Sequence, residues 1–241
     1  MRFAILETGV PPGDLAERHG DYPDMFEALV GLGPMARFAV DRGQWPDAPE
    51  AYDGYLITGS PAGVYDPLPW VGQLMTFLQA AKGKAALVGV CFGHQAMAQA
   101  FGGQVIKSPK GWGIGRHVYE LSARAPWMDG AAEIAPLEIA PLEIALAASH
   151  QDQVVQAPPG AQVIAASAFT PFAALAYPGQ RALSFQGHPE FTPEFAKALM
   201  TIRRGKSLTE AEADAAIASL DLPDDGRRVG GWIRAFLEGG D

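Results

Sequence analysis

Short apolar segments that alternate with longer amphipathic segments constrain the fold of this chain more than any other feature of its sequence. The segments with the length and composition of buried strands are Arg2–Leu6, Met35–Val40, Gly54–Thr58 and Lys84–Val90. The segments with apolar residues at helical spacing are Tyr22–Leu32, Trp70–Ala81 and His94–Phe101. This alternation is typical of βα units, which build a parallel sheet with helices on its faces. Lys84–Val90 is almost continuously apolar, which indicates a central strand covered on both faces.

The second half of the chain has a different pattern, in which short strand-like segments are separated by Pro and Gly turns. These segments are Val105–Ile106, Ile114–Leu121, Gln162–Ala166, Phe172–Tyr177 and Ala182–Gln186. Thr192 followed by Pro193 predicts the start of one helix. Ser207 with Glu210 predicts a capping box at the start of another. We therefore predict an α/β fold, a doubly wound, mostly parallel sheet in three layers with an antiparallel extension after about Val105.

No Ser/Gly-rich linker or long run of charge divides the chain, so we expect a single domain over residues 1–241. The active site of such a fold is expected at the carboxyl ends of the strands. The pentad Ile-Ala-Pro-Leu-Glu occurs twice in tandem, at Ile134–Glu138 and Ile139–Glu143. Because five residues are too few for a solenoid unit, we interpret it as a local duplication that lengthens a loop or the approach to a strand.

The charge and composition of the chain exclude several classes of protein. The 18 Lys and Arg against 27 Asp and Glu give a net charge of −9 without a basic cluster, so neither nucleic acid nor a membrane surface is an expected partner. No apolar run is long enough to span a bilayer, and Glu7 interrupts the first one too early for a signal peptide. The single cysteine, Cys91, excludes an internal disulfide and predicts a reducing, cytoplasmic setting. The scattered histidines provide no zinc-type spacing and no P-loop or other ATP motif occurs, so neither a metal nor a cofactor is expected.

The stretch Gly89-Val90-Cys91-Phe92-Gly93 carries the strongest indication of chemistry, because an apolar strand turns directly into a helix there. A nucleophile in such a strained turn needs small residues two positions before and after it, so that strand and helix can approach. Cys91 would lie at a helix N-terminus, whose dipole favours the thiolate. The backbone N–H of Phe92 would form half of an oxyanion hole. The alternative interpretation is a buried cysteine that only packs beside the helix.

A cysteine nucleophile needs a general base and a group that orients the base. Of the five histidines, His188 is the candidate, because it directly follows the last predicted strand. Residues two apart in extended chain point the same way, so Glu190 can accept a hydrogen bond from the His188 ring while Pro189 stiffens the segment. His94 enters the predicted helix and is expected to pack or to bind backbone. His19 lies in a polar segment that we expect to be exposed.

The pattern Gly-x-Cys-x-Gly-x-Gln at 89–95, followed much later by His-Pro-Glu at 188–190, resembles the class I (triad) glutamine amidotransferases. The resemblance covers nearly the whole chain and implies the flavodoxin-like fold of that family. It implies that Cys91 attacks the side-chain carboxamide of glutamine, that His188 passes a proton to the departing ammonia, and that Glu190 orients the imidazole. A γ-glutamyl thioester would form, and water would release glutamate.

The resemblance also assigns residues around the nucleophile. Gly59, in the turn Thr58-Gly59-Ser60-Pro61, would complete the oxyanion hole with Phe92. Gln95 would hold the amide and the α-amino end of the substrate. The matching loop that contacts the amino-acid head of the substrate consists of Ser149, His150, Gln151 and Asp152. Many family members have Gly-Gly-Pro where this chain has Gly-Ser-Pro at 59–61, a departure that alters the shape of the loop.

Three functions are open on the sequence alone. The stretch at 110–115, Lys-Gly-Trp-Gly-Ile-Gly, is similar to stand-alone relatives of the amidotransferase part of GMP synthase and to plant γ-glutamyl peptidases. The first implies a glutaminase whose ammonia passes to a separate synthetase or acceptor subunit, because nothing after Asp241 supplies one. The second implies hydrolysis of small γ-glutamyl peptides, with Trp112 lining the pocket or anchoring a loop. The third is a non-catalytic binding or regulatory module, against which the intact set of Cys91, His188 and Glu190 argues.

Overall fold

In the computed structural model, which describes residues 1–129, 135–136 and 142–239, nine strands form one sheet in the order β2-β1-β3-β4-β13-β12-β11-β6-β9. The strands are β1 Phe3–Glu7, β2 Ala36–Ala39, β3 Gly54–Ile57, β4 Ala86–Val90, β5 Gln104–Lys107, β6 Gly113–Leu121, β7 Ala123–Arg124, β8 Ala135–Pro136, β9 Glu143–His150, β10 Asp152–Gln156, β11 Gln162–Ala166, β12 Ala174–Tyr177 and β13 Ala182–Phe185. The helices are α1 Leu15–His19, α2 Tyr22–Val30, α3 Pro69–Ala81, α4 Phe92–Ala100, α5 Pro193–Arg203, α6 Glu210–Ser219 and α7 Gly226–Leu237.

The sheet has a parallel half and an antiparallel half. The strands β2, β1, β3, β4 and β13 pair in parallel, with β4 at the centre between β3 and β13. The strands β12, β11, β6 and β9 continue the sheet from β13 in antiparallel pairs. This arrangement confirms the predicted α/β fold with an antiparallel extension. Two short pairs, β5 with β10 and β7 with β8, lie outside the main sheet.

The alternation of strand side chains between the two faces of the sheet produces the three layers. In β1, Ile5 packs with α2 and α7 on one face, whereas Ala4 and Leu6 pack with α3 and α4 on the other. Successive side chains of a strand point to opposite faces, so an apolar strand requires helices on both sides. The remaining helices, α1, α5 and α6, form a third cluster with part of α2 and with Ala147 of β9.

The C-terminal helices differ from the prediction in two ways. The capping box at the start of α6 consists of Thr209 and Glu212, and not of Ser207 and Glu210. The turn before α6 is closed by hydrogen bonds to the carbonyl oxygen of Arg203 and buries Leu208, so the helix begins two residues later than predicted. α7 is absent from the prediction. It contains three glycines, but its apolar residues lie at helical spacing: Val229, Trp232, Ile233, Phe236 and Leu237. This helix is stabilised by tertiary packing that outweighs its weak intrinsic propensity.

Two further features bear on the predictions. The tandem pentad at 134–143 lies largely outside the described residues. No helix in the described part of the chain has the length and apolar character needed to cross a membrane.

The carboxyl ends of the central parallel strands meet at one edge of the sheet. β1 ends before Thr8, β3 before Thr58, and β4 before Cys91. His188 follows the end of β13, which is the neighbour of β4. The topology therefore brings together segments that are far apart in sequence, at the edge where open α/β sheets bind their ligands.

Candidate active site

Cys91 occupies the bend between β4 and α4 in a strained backbone conformation, with φ of 52° and ψ of −103°. A Cβ at Gly89 would lie 2.5 Å from the backbone of Gly93, and a Cβ at Gly93 would lie 2.4 Å from the carbonyl oxygen of Ile57. Only glycine fits at both positions, because strand and helix are in direct backbone contact there. A positive φ is rare for a residue with a side chain and persists only where its surroundings enforce it. The strained bend predicted from the sequence is confirmed.

The loop after β3 brings Gly59 against both Cys91 and His188. A Cβ at Gly59 would lie 3.3 Å from Cε1 of His188 and 3.9 Å from Cβ of Cys91. The hydroxyl of Thr8, which follows β1, lies 3.0 Å from the carbonyl oxygens of Gly59 and of the residue before it, and so fixes the loop. Among the described residues, the backbone N–H groups of Gly59 and Phe92 have no hydrogen-bond partner. Both donors are therefore available to an oxyanion beside the thiol.

His188 is held by contacts on its backbone, on its edge and on its face. Its N–H donates to the carbonyl oxygen of Ala147 in β9 at 2.8 Å. Its Nδ1 lies 2.7 Å from Oε1 of Glu190, as the sequence predicted. The ring of Phe191 stacks on the imidazole with centroids 3.9 Å apart and planes 5° apart. With Nδ1 engaged, Nε2 is the ring atom left to interact with Cys91.

Charge keeps the His188 imidazole protonated. Burial by itself lowers the pKa of His188, but the charges of Glu190 and Cys91, and hydrogen bonding to both side chains, raise it to about 10. Cys91 therefore lies close enough for direct electrostatic interaction with the ring. Within the described residues, Oε2 of Glu190 is buried without a hydrogen-bond partner. The only hydrogen bond of this carboxylate in that part of the chain is thus the one to His188.

The other histidines differ from His188 in their protonation and in their packing. Burial lowers the pKa of His94 and of His150 to about 3, so both rings are neutral. His94 packs in the core, as expected, and its Nδ1 lies 2.8 Å from Oγ of Ser184. His19 is only partly exposed, contrary to the expectation, because α1 packs on α5 and sets this ring against Phe195. In the described part of the chain, no three His, Cys, Asp or Glu residues are grouped to hold a metal ion.

Cys91 opens onto two pockets. The first, which we call the polar pocket, has a volume of about 530 Å³. Its lining includes all five residues that the resemblance assigned to substrate binding: Gln95, Ser149, His150, Gln151 and Asp152. The expected loop is shorter than predicted, because β9 continues through His150 and β10 starts at Asp152. The pairing of β10 with β5 extends the strand to this point and leaves Gln151 as the turn.

Hydrogen bonds already fix most of the polar groups in the polar pocket. Nε2 of Gln95 donates to the carbonyl oxygen of Asp152 at 2.9 Å and to the side chain of Gln186 at 3.1 Å. What Gln95 can offer a ligand is therefore its carbonyl oxygen. The carboxylate of Asp152 accepts a hydrogen bond of 2.8 Å from Tyr65, and Trp112 also lines this pocket.

The second pocket, which we call the apolar pocket, has a volume of about 230 Å³. Its apolar walls are formed by Val10, Pro12, Tyr22, Phe191, Leu199 and Ile202. His188 lines the apolar pocket and not the polar one, whereas Cys91, Ser149 and Arg203 line both. The nucleophile thus lies where two pockets of different chemical character meet.

Several residues of the site were not identified from the sequence. Arg203 donates to Oγ of Ser149 at 2.7 Å and lies over the ring of Trp112, 4.8 Å from its centroid. A sequence signal for Arg203 exists, because it ends α5, the helix that begins at Pro193, three residues after Glu190. No sequence signal exists for Tyr22, which reaches the site only because α2 packs beside α7 and the end of β1.

The glutamine amidotransferase class-I family model matches residues 36–204 of the chain, which include both the bend and the histidine. A glutamine amidotransferase-like protein of Schizosaccharomyces pombe is 29% identical over 254 residues, covering 98% of this chain and 98% of that protein. Gamma-glutamyl peptidase 3 of Arabidopsis thaliana is 26% identical and covers 99% of this chain and 97% of the peptidase.

A solved structure has the same fold. The crystal structure of a glutamine amidotransferase from Thermotoga maritima superposes with a TM-score of 0.71, covering 98% of this chain and 96% of that one. The two chains are only 16% identical, so this likeness concerns the fold alone.

Proposed function

The chain belongs to the class I glutamine amidotransferase family, and we propose that it hydrolyses the side-chain amide of glutamine to glutamate and ammonia through a thioester on Cys91. One observation carries the proposal. A cysteine in a strained bend at a helix N-terminus lies beside a buried imidazole whose other nitrogen is bound by a carboxylate. A nucleophile, a base and an orienting group in this arrangement can perform acyl transfer.

The mechanism follows from the geometry. The thiolate of Cys91 attacks the amide carbon, and the resulting oxyanion accepts hydrogen bonds from the N–H groups of Gly59 and Phe92. His188 then donates its Nε2 proton to the nitrogen, the C–N bond breaks, and ammonia leaves. Water attacks the γ-glutamyl thioester with His188 as general base, which releases glutamate and restores the thiol. Glu190 holds the ring in the required orientation throughout.

The amino-acid head of glutamine is assigned to the polar pocket. The head carries an ammonium and a carboxylate, so it needs groups of both signs. The lining includes the carboxylate of Asp152 and the cations of Lys107 and Arg203, which meet that requirement. We propose Gln95, Ser149, His150, Gln151 and Asp152 as the residues that hold the head.

A γ-glutamyl peptide is the second candidate substrate. The observation that favours it is the apolar pocket, which extends the site beyond Cys91 on the side of His188. The similarity to a gamma-glutamyl peptidase over nearly the full length of both chains supports it further. With glutamine as substrate, the ammonia passes to water or to a separate synthetase or acceptor subunit; with a peptide, no acceptor is needed.

Trapping of the thioester tests the proposed chemistry. The protein is mixed with glutamine or with a γ-glutamyl dipeptide, quenched in acid and analysed by mass spectrometry of the intact chain, and glutamate release is measured in parallel. We expect a γ-glutamyl adduct that is absent from Cys91→Ala, because Cys91 is the only cysteine. Turnover of either substrate by Cys91→Ala would falsify the proposal, and absence of both adduct and turnover in the wild type would favour a non-catalytic module.

A further inference from the structure

The apolar pocket lies on the side of Cys91 from which the leaving group departs. In acyl transfer, the group that protonates the leaving nitrogen must lie beside that nitrogen. His188 is this group in the proposed mechanism, and it lines the apolar pocket but not the polar pocket. With the amino-acid head in the polar pocket, the nitrogen of the scissile amide and whatever it carries must therefore point into the apolar pocket.

The size of the apolar pocket exceeds what glutamine requires. The leaving group of glutamine is ammonia, a molecule about the size of water. A water molecule needs only about 15 Å³ of cavity. The apolar pocket has about 230 Å³, so it holds a much larger group attached to the amide nitrogen.

The charges of the two pockets are also different. The lining of the polar pocket includes the carboxylates of Asp66 and Asp152, whereas that of the apolar pocket includes no Asp or Glu from the described residues. The cations of the apolar pocket are Arg203, shared between the pockets, and Lys206. Lys206 is exposed and forms no ion pair within the described part of the chain. A pocket with apolar walls and an uncommitted cation fits an apolar group that ends in a carboxylate.

We propose that the apolar pocket is a leaving-group subsite for γ-glutamyl dipeptides whose second residue is apolar and has a free carboxylate, which pairs with Lys206. This inference rests on the proposed thioester chemistry and names its substrate class. The amide bond between the γ-carbon and the second residue breaks as the bond from sulfur to carbon forms. The proton on His188 goes to the departing amino group, and the second residue leaves as a free amino acid. Water then hydrolyses the thioester to glutamate and the thiol.

A comparison of matched substrates tests the subsite. We measure kcat/KM for γ-glutamyl-leucine, for the same dipeptide with an amidated C-terminus, and for glutamine. An exposed ion pair of this kind gives a preference of about fivefold for the free acid over the amide. In Lys206→Met, which keeps the aliphatic stem, the ratio of acid to amide falls to about one. In Lys82→Met, at the opposite end of β4, the ratio stays at the wild-type value.

A second variant tests the apolar wall. Val10 is 53% exposed at the mouth of the pocket, so Val10→Asp is expected to fold. The new carboxylate lowers kcat/KM for γ-glutamyl-leucine more than for its amide. An unchanged acid-to-amide ratio in both Lys206→Met and Val10→Asp overturns the subsite. A higher kcat/KM for glutamine than for either dipeptide overturns it as well.

Binding without turnover separates the subsite from the chemistry. Cys91→Ala is titrated calorimetrically with γ-glutamyl-leucine and with its amide, and we expect tighter binding of the free acid. If this preference is found but the wild type turns over no γ-glutamyl compound, the subsite stands and the proposed chemistry fails. If the wild type hydrolyses glutamine but Cys91→Ala binds acid and amide equally, the chemistry stands and the subsite fails. If neither turnover nor binding is observed, both are rejected.

Discussion

The bend at Cys91 meets the segment 187–191, which we call the histidine arm. The two are held in place by different kinds of contact. The bend is fixed by contacts between residues close in sequence, above all the direct contact of Gly89 with Gly93. Further contacts come from the strands on both sides. A Cβ at Gly93 would meet the backbone of Ile57 in β3, and the N–H of Cys91 donates to the carbonyl oxygen of Phe185 in β13 at 2.9 Å. The nucleophile is therefore positioned by the strand–turn–helix unit that contains it and by the two strands that flank this unit.

The histidine arm is positioned by elements distant in sequence. Ala147 of β9 binds its backbone, and Tyr22 of α2 stacks on Phe191 with ring centroids 6.1 Å apart. Two contacts with the ring of His188 come from within the arm itself: the hydrogen bond to Glu190 and the stacked ring of Phe191. The comparison teaches that the two halves of the site have different weaknesses: the bend is sensitive to added volume, and the arm is sensitive to lost charge and lost packing.

Removal of the charge from the arm has the largest expected effect. Glu190→Gln keeps the size of the side chain but no longer stabilises the imidazolium, and by analogy with other catalytic acid–base sets it lowers kcat about 10⁴-fold. The exposed Glu194→Gln, four residues later, is the control and is expected to leave glutamate release unchanged. Comparable activity of the two variants would contradict a role of Glu190 in orienting His188.

The same variant changes the pH dependence of stability. The pKa of His188 is raised from 6.5 to about 10 in the folded protein. A raised pKa stabilises the folded state fully below pH 6.5, and the stabilisation is lost as pH rises toward about 10. In denaturant titrations, the free energy of unfolding of the wild type should therefore fall over this range relative to Glu190→Gln. Parallel curves for the two proteins would show that the carboxylate does not hold this proton.

Added volume in the bend has the next largest effect. Gly93→Ala places a methyl group 2.4 Å from the carbonyl oxygen of Ile57, so strand and helix must separate. We expect a loss of about 1–3 kcal/mol in the free energy of unfolding and about a 100-fold loss in turnover from the displaced thiol. Gly72→Ala, in α3, meets no atom within 4 Å and should be neutral or stabilising by up to about 1 kcal/mol. If Gly93→Ala behaves like Gly72→Ala, the bend is not under the predicted constraint.

The smallest expected effect concerns the end of the arm. Thr192 caps α5 by accepting from the N–H of Phe195, and Thr209 caps α6 by accepting from the N–H of Glu212. Each change to Ala should cost about 1 kcal/mol in stability. Only Thr192→Ala should also lower kcat, because its cap adjoins the histidine arm. Equal kcat in both variants would mean that the arm is independent of α5.

The sequence was sufficient to predict those parts of the site that depend on local geometry. The requirement for glycine around Cys91 follows from sterics, and the spacing of His188 and Glu190 follows from the two-residue period of extended chain. Neither prediction depends on the neighbouring strands, and the geometry at both places agrees with the prediction.

Local patterns were less reliable where tertiary contacts decide the outcome. The capping box of α6 is predicted two residues too early, because the motif occurs twice, at 207–210 and at 209–212, and burial of Leu208 in the preceding turn selects the second. α7 is absent from the prediction although its apolar residues have helical spacing, because three glycines lower its intrinsic helix propensity. Close packing requires one of these glycines: a Cβ at Gly230 would lie 2.6 Å from Leu29 of α2.

What the sequence determined by itself was the α/β class, the bend and the pairing of an imidazole with a carboxylate, since each depends on residues that are near neighbours in the chain. The tertiary structure alone decided that the imidazole faces the thiol, that Tyr22 and Arg203 border it, and that two unlike pockets meet at Cys91. These features join segments from both ends of the chain, and such contacts form only when burial of the apolar strand faces and helices brings the segments together.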